Sequence, residues 1–351
     1  MSKGHRRIVI VVGAGASKEF GLPTGAELKD KIADICDIRF DDFGSRLVRG
    51  DSELVAALRQ EVRQDSSHDR SLNHYLHAAW KIRDNMPWAP SIDNFLDTHR
   101  NDPEITKFGK LAIAKAILQA EANSALVVDA NTASPKLDSR KLQNTWIARL
   151  FGMLVAQRSF GGFIEALRSI TFVSFNYDRC IHQFFLVASR GYFDLRHDQL
   201  DEVLDALNII YPYGSIGDFR YFGLETCFGQ VDLQRSLFEY ADSIRTFTEG
   251  TGSDIVEGIS NALARSDVVV FLGFGFLHLN MKILFGEMRF PDVVVLATGK
   301  GLSENSRSQV AQELEYVFPM SSKSNRKKSN VQIIDSTCSE LFFEYERFLS
   351  G

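Results

Sequence analysis

Six short runs of nearly unbroken apolar residues punctuate the chain: residues 7–12 (RIVIVV), 170–175 (ITFVSF), 208–213 (NIIYPY), 267–274 (DVVVFLGF), 292–298 (DVVVLAT) and 330–335 (NVQIID). They are rich in Val, Ile and Phe and do not alternate with polar residues, the pattern of parallel strands covered on both faces. Helical spacing appears after or between them, at residues 24–36, 177–189, 254–265, 280–288, 306–318 and 339–349. Strand and helix repeated in this way predict an α/β fold of Rossmann-like type, with a doubly wound, mostly parallel sheet.

Residues 37–162 break the rhythm. No strand is expected there, and helical patterns at 52–63, 72–83, 106–121 and 142–155 are interrupted by MPWAPS and DANTASPKLDS. The stretch reads as a helical insertion between residues 1–36 and 163–351, which together make the Rossmann-like domain. It would cover the ligand cleft, assemble subunits or serve as a packing layer.

Composition narrows the function classes. The 351 residues are 44% hydrophobic and 24% charged, as in ordinary globular proteins, and the formal net charge of −5 argues against a general nucleic-acid binder. The basic cluster Lys323, Arg326, Lys327 and Lys328 reads as a solvated loop. No apolar run approaches the roughly 20 residues needed to span a bilayer, and no leader pattern is seen, so a cytoplasmic location with no membrane contact is expected. Cys36, Cys180, Cys227 and Cys338 are too scattered for a zinc module and read as reduced thiols.

The candidate chemistry lies at the carboxyl ends of the expected strands, where open α/β sheets bind ligands. RRIVIVVGAGASKEFGLPTG runs from strand to helix through Gly13, Ala14, Gly15 and Ser17, and such a loop presents backbone N–H groups and a hydroxyl to an anion. Its sixth position is Lys18 where the dehydrogenase fingerprint has glycine, and no second strand ending in an acidic residue follows about 20 residues later, so hydride-transfer enzymes fit poorly. Later strand ends carry NYDRC with Asn176 and Asp178, PYGSIGD with Tyr213, Gly214 and Ser215, and GFGFLHLN with Gly273, Phe274 and His278.

Taken in order, VVGAGASKEFGLPTG, FNYDRCIHQF, PYGSIGD and VVVFLGFGFLHLNMKIL resemble the sirtuin superfamily, in particular the bacterial sirtuin-like proteins of antiphage defence, and SIDNFLD at residues 91–97 resembles a segment of their helical insertion. The resemblance implies NAD as ligand or substrate and cleavage of its nicotinamide–ribose bond. Gly13, Ala14, Gly15 and Ser17 would hold the pyrophosphate, Asn176 would sit by the nicotinamide ribose, and Asp178 by the carboxamide or the attacking water. Gly273 and Phe274 would meet the adenosine side, with Asp93, Gly214, Ser215 and His278 as further ligand contacts. It also implies a homo-oligomer and a defence-system partner such as an ATPase, while the cysteines leave no zinc site. The chain departs from the family at Tyr213, which stands where relatives carry the catalytic histidine. A phenol with an ordinary pKa of about 10 is a poor base near neutrality. His182, His278, and His99 with Asp93 on the insertion are the candidate substitutes, and Tyr213 itself would still suit a ribose hydroxyl as an orienting hydrogen-bond partner at the catalytic centre. Two readings follow, an NAD glycohydrolase and a catalytically silent subunit that binds NAD or ADP-ribose; a Rossmann-type oxidoreductase is a third.

Overall fold

The computed structural model describes residues 5–41, 46–64, 71–129, 135–217, 228–229, 237–250, 252–321 and 329–350. The basic cluster at Lys323, Arg326, Lys327 and Lys328 lies outside the described residues, as do Cys227 and Asp218 of PYGSIGD. Among the described residues there are eight strands in chain order: β1 (Ile8–Val12), β2 (Arg39–Phe40), β3 (Leu47–Arg49), β4 (Ile170–Ser174), β5 (Asn208–Ile210), β6 (Val268–Leu272), β7 (Val294–Thr298) and β8 (Val331–Ile334). All six apolar runs supply one parallel sheet, ordered β5-β4-β1-β6-β7-β8. This is the doubly wound order of dinucleotide-binding folds, and its direction reverses between β1 and β6.

The expectation of no strand in residues 37–162 fails at β2 and β3, a short antiparallel pair. Its residues are exposed or half-buried and too few to show the alternation that marks a strand in sequence.

Side chains alternate across the sheet with period two, so each strand feeds two cores. Val9, Val11, Val173, Val269, Phe271 and Val295 face one, while Ile8, Ile10, Val12, Phe172, Val270 and Leu272 face the other. The expected insertion is shared between them. Ser52–Gln64, Asn73–Asn85 and Pro103–Ala122 pack in the first core with Gly25–Cys36, whereas Trp146–Val155 and Phe160–Arg168 pack in the second beside Cys180–Phe193 and His197–Ala206. Chain direction accounts for the second group. The steps from β1 to β4 and from β4 to β5 run the same way across the sheet, so right-handed crossovers place the helices that enter β4 and β5 on one face. The steps from β6 to β7 and β8 run the other way, and His278–Phe285 and Glu304–Val317 accordingly contribute to the opposite core.

Helix starts follow local chemistry. Thr24 and Glu27 form a reciprocal capping box at Gly25–Cys36, Asp102 accepts from Ile105 N–H ahead of Pro103, and Ser91 accepts from Asn94 N–H to begin Ile92–Thr98. No helix among the described residues is long and apolar enough to cross a membrane.

Candidate functional site

Register brings the site together. Val12 is level with Ser174 on one side and Leu272 on the other, so Gly13, Phe175 and Gly273 leave the sheet at one height. Phe175 N–H donates to Val12 O and Gly13 N–H to Leu272 O, both at 2.9 Å, which carries the pairing one residue past the strands. Beyond these ends, at the reversal of strand order, lies a cavity of about 640 Å³, within the range of roughly 300–1,000 Å³ usual for small-molecule sites.

The three loop glycines are dictated by backbone contact. A β-carbon on Gly13 would lie 2.6 Å from Gly273 O, one on Gly15 would lie 2.7 Å from Gly273 Cα, and Gly273 itself has φ +54°. Gly15 N–H donates to Gly273 O at 3.0 Å. Two of the loop's N–H groups therefore point to the end of β6, and a ligand would meet the loop chiefly through Ala14 and the start of the short helix Ala14–Ser17.

Asn176 and Asp178 line the cavity and are both buried. The Asn176 amide donates both of its hydrogens, to Gly13 O at 3.0 Å and to Ser17 Oγ at 2.9 Å; Ser17 Oγ in turn donates to Asp178 Oδ2 at 2.7 Å. Because Gly13 O can only accept, the amide orientation is fixed, and Asn176 offers the cavity its Oδ1 as an acceptor. Asp178 Oδ1 accepts from Cys180 N–H at 3.1 Å. Those donors favour the carboxylate, but burial outweighs them and raises the Asp178 carboxyl above the ordinary aspartate range. Ser17, expected at the pyrophosphate, is buried behind the cavity wall instead, where its hydroxyl links the two side chains.

The insertion does reach the cleft. Asp93, on Ile92–Thr98, lines the cavity and accepts from Tyr177 OH, and loss of hydration raises its carboxyl too. Gly273 and Phe274 also line the cavity, with Gly273 N–H donating to Thr298 Oγ1 at 2.8 Å.

Four expected contacts are placed elsewhere. Tyr213 is buried behind the wall among Phe175 and Tyr177, and its hydroxyl donates to Asn280 Oδ1 at 2.8 Å. Burial, then the nearby Asp93 and Asp97, push its phenol above the ordinary value, and the ring does not line the cavity. Gly214 has φ +72° and packs against Ser243 O in a turn, and Ser215 Oγ donates to Gly217 O at 3.2 Å. His278 begins its helix on the exposed side, and Asn280, two residues on, faces the cavity instead. His182 contacts Tyr211 and His99 contacts Phe95 O; neither lines the cavity. Tyr213→Phe should accordingly cost only about 1 kcal/mol of stability. It should leave the pH profile of any turnover unchanged, which a pH–rate series on both proteins would check.

Sequence reasoning missed much of the far wall. Thr298, Lys300, Ser336, Thr337 and Cys338 come from the ends of β7 and β8, and the rule about carboxyl ends, applied to ATGK and DSTC, was the available signal. Glu19 was missed too. Its carboxylate accepts from Trp146 N–H and Ser339 N–H, each at 2.8 Å, so it caps two helix starts at the cavity edge, while burial raises its pKa.

The buried acids give stability a pH dependence of defined sign. Asp93 and Asp178 bind a proton more tightly when folded, so their contribution is full in acid and is lost as pH climbs from about 3.8 through their folded values. Asp37, held low by hydrogen bonds from Arg39 and Arg83, acts oppositely; its contribution is lost as pH falls through its folded value. Asp178→Asn should therefore gain on the wild type as pH rises above 3.8 in urea denaturation. A difference that stays flat with pH would contradict the assignment.

Among the described residues, no three or more His, Cys, Asp or Glu side chains are grouped to hold a metal ion. Compared with known proteins, the chain matches no family model and no curated protein.

Proposed function

We propose that the protein is an NAD glycohydrolase that uses the cavity at the β1–β6 reversal, as the resemblance of its strand-end motifs to sirtuin-like defence proteins implies. The observation that carries the reading is the bonded chain Asn176–Ser17–Asp178 beside the glycine turn, on a cavity of dinucleotide-binding topology. In the reaction the bond between the ribose anomeric carbon and the nicotinamide nitrogen breaks, and its electron pair leaves with nicotinamide. The oxocarbenium-like centre is taken by water, and the water's proton passes to a base, leaving ADP-ribose. Asn176 Oδ1 suits a ribose hydroxyl or that water as an acceptor. Asp178, on the cavity wall, is the carboxylate that would accept the proton. No group on Tyr213 is required.

Chromatography of NAD incubated with the purified protein, alone and with the product of a neighbouring gene, tests the reading through the appearance of nicotinamide and ADP-ribose. The second reading, a silent subunit that binds NAD or ADP-ribose, is favoured by the seclusion of Tyr213 and by the engagement of both Asn176 amide hydrogens. Calorimetric binding without consumption would select it. The same resemblance implies that the chain associates with itself and with a defence-system partner.

A further inference from the structure

The segment leaving β4 is gripped from two sides. Asn176 and Asp178 bond to Ser17 of the glycine loop, while the residues between and after them bond to the helices of residues 37–162: Tyr177 OH donates to Asp93, and Arg179 is held by Glu121. The second contact is extensive. Glu121 Oε2 accepts from Arg179 Nη2 at 2.6 Å, and Oε1 accepts from Arg179 backbone N–H at 2.8 Å and Nε at 3.3 Å. Both side chains are fully buried. Glu121 Oε2 also accepts from Gly229 N–H at 3.2 Å.

A buried ion pair is seldom an efficient source of stability, since apolar residues of similar volume do as well or better. What this one does is fix the backbone directly after Asp178, through a hydrogen bond to the main-chain N–H as well as to the guanidinium. We propose that Glu121, with Asp93 as its counterpart, is a positioning residue: the two carboxylates clamp residues 176–179 from the helical layer and so set where Asn176 and Asp178 stand in the cavity. The helical layer thereby controls the site without contributing a reacting group at Glu121. The part concerning turnover rests on the NAD glycohydrolase reading; the part concerning geometry does not.

The experiment compares wild type, Glu121→Gln and the apolar pair Glu121→Leu/Arg179→Met, with two readouts beside melting temperature. The first is the kcat and KM of NAD cleavage. The second is the rate at which N-ethylmaleimide modifies Cys180, resolved by peptide mass spectrometry; this thiol is buried directly after the clamped arginine and exposes displacement of the segment without needing turnover. Glu121→Gln should modify at Cys180 at least about tenfold faster while still folded, and kcat should fall roughly a hundredfold with KM little changed. The apolar pair should recover melting temperature but neither the slow modification nor kcat. Recovery of all three together would reduce the ion pair to a structural contact and overturn the proposal. Unchanged Cys180 modification in both variants would overturn it as well. If wild type cleaves no NAD, the glycohydrolase reading fails and the Cys180 rates alone decide the clamp.

Discussion

Asn176→Ala is expected to lower nicotinamide release from NAD by roughly 10²–10³-fold, the loss typical of removing a preorganised polar group from a reacting centre. The side chain does two things at once. It presents Oδ1 to the cavity, and its amide hydrogens tie Gly13 O to Ser17 Oγ, which in turn holds Asp178. Alanine removes the acceptor and leaves Ser17 free to rotate away from the carboxylate, so binding and chemistry should both suffer. Chromatographic rates on the two proteins, with melting curves to show that the variant is folded, make the comparison. Equal measurable rates would exclude Asn176 from the reaction, and flat traces for both proteins would shift the assignment to the silent binding reading.

The largest effect on stability is expected at Gly273→Ala. The glycine has φ +54°, and a β-carbon there would lie 2.1 Å from Ala16 N and 2.5 Å from Gly15 Cα, in contact with backbone that has no side-chain freedom to yield. Strain in the left-handed region adds to the clash, and a loss of about 3–5 kcal/mol is expected, enough to unfold a domain of ordinary stability. Urea titration, or failure to obtain soluble protein, is the readout. An alanine variant as stable as wild type would mean that β1 and β6 do not meet in this way. Gly21, with φ +92° but open space around it, provides the control, since alanine there should bring backbone strain alone.

The sheet was legible because the inner strands β1, β4, β6 and β7 are largely buried and have nowhere to place polar residues, while the partly exposed edge strands β5 and β8 were still apolar enough to register despite Asn208 and Gln332. Their order was legible only as a class, since pairing joins strands as distant as β1 and β6 through contacts no local pattern records. The small pair β2 and β3, and the seven-residue helix Ile92–Thr98, are too short for periodicity to register. At the site, residues adjacent in sequence to a strand end were found: Gly13, Asn176, Asp178 and Gly273 all line the cavity. Asp93 of the insertion was found as well, through its motif, whereas the ends of β7 and β8 and the partners brought in by distant pairing were not. Glu121 reaches Arg179 across 58 residues, and Glu19 reaches Ser339 across 320. Tyr213 shows the reverse error, in which a motif position suggested a cleft residue and its aromatic ring instead satisfied the core, with Asn280 supplying the partner its hydroxyl needed.

The absent second strand has a topological explanation. A ribose-reading acid was sought about 20 residues after the glycine loop, but β4, the strand that lies next to β1 on that side, begins only at Ile170. Its end carries NYD, which sets the buried Asp178 beside the glycine turn across the intervening helices.

Glu19 gives the cavity an order of assembly. Its carboxylate needs the amides of Trp146 and Ser339, and the far wall needs Thr337 and Cys338, which follow β8 in the chain. A ribosome must therefore synthesise more than three hundred residues beyond the glycine turn before every wall of the chamber exists, and no shorter nascent chain carries the whole lining.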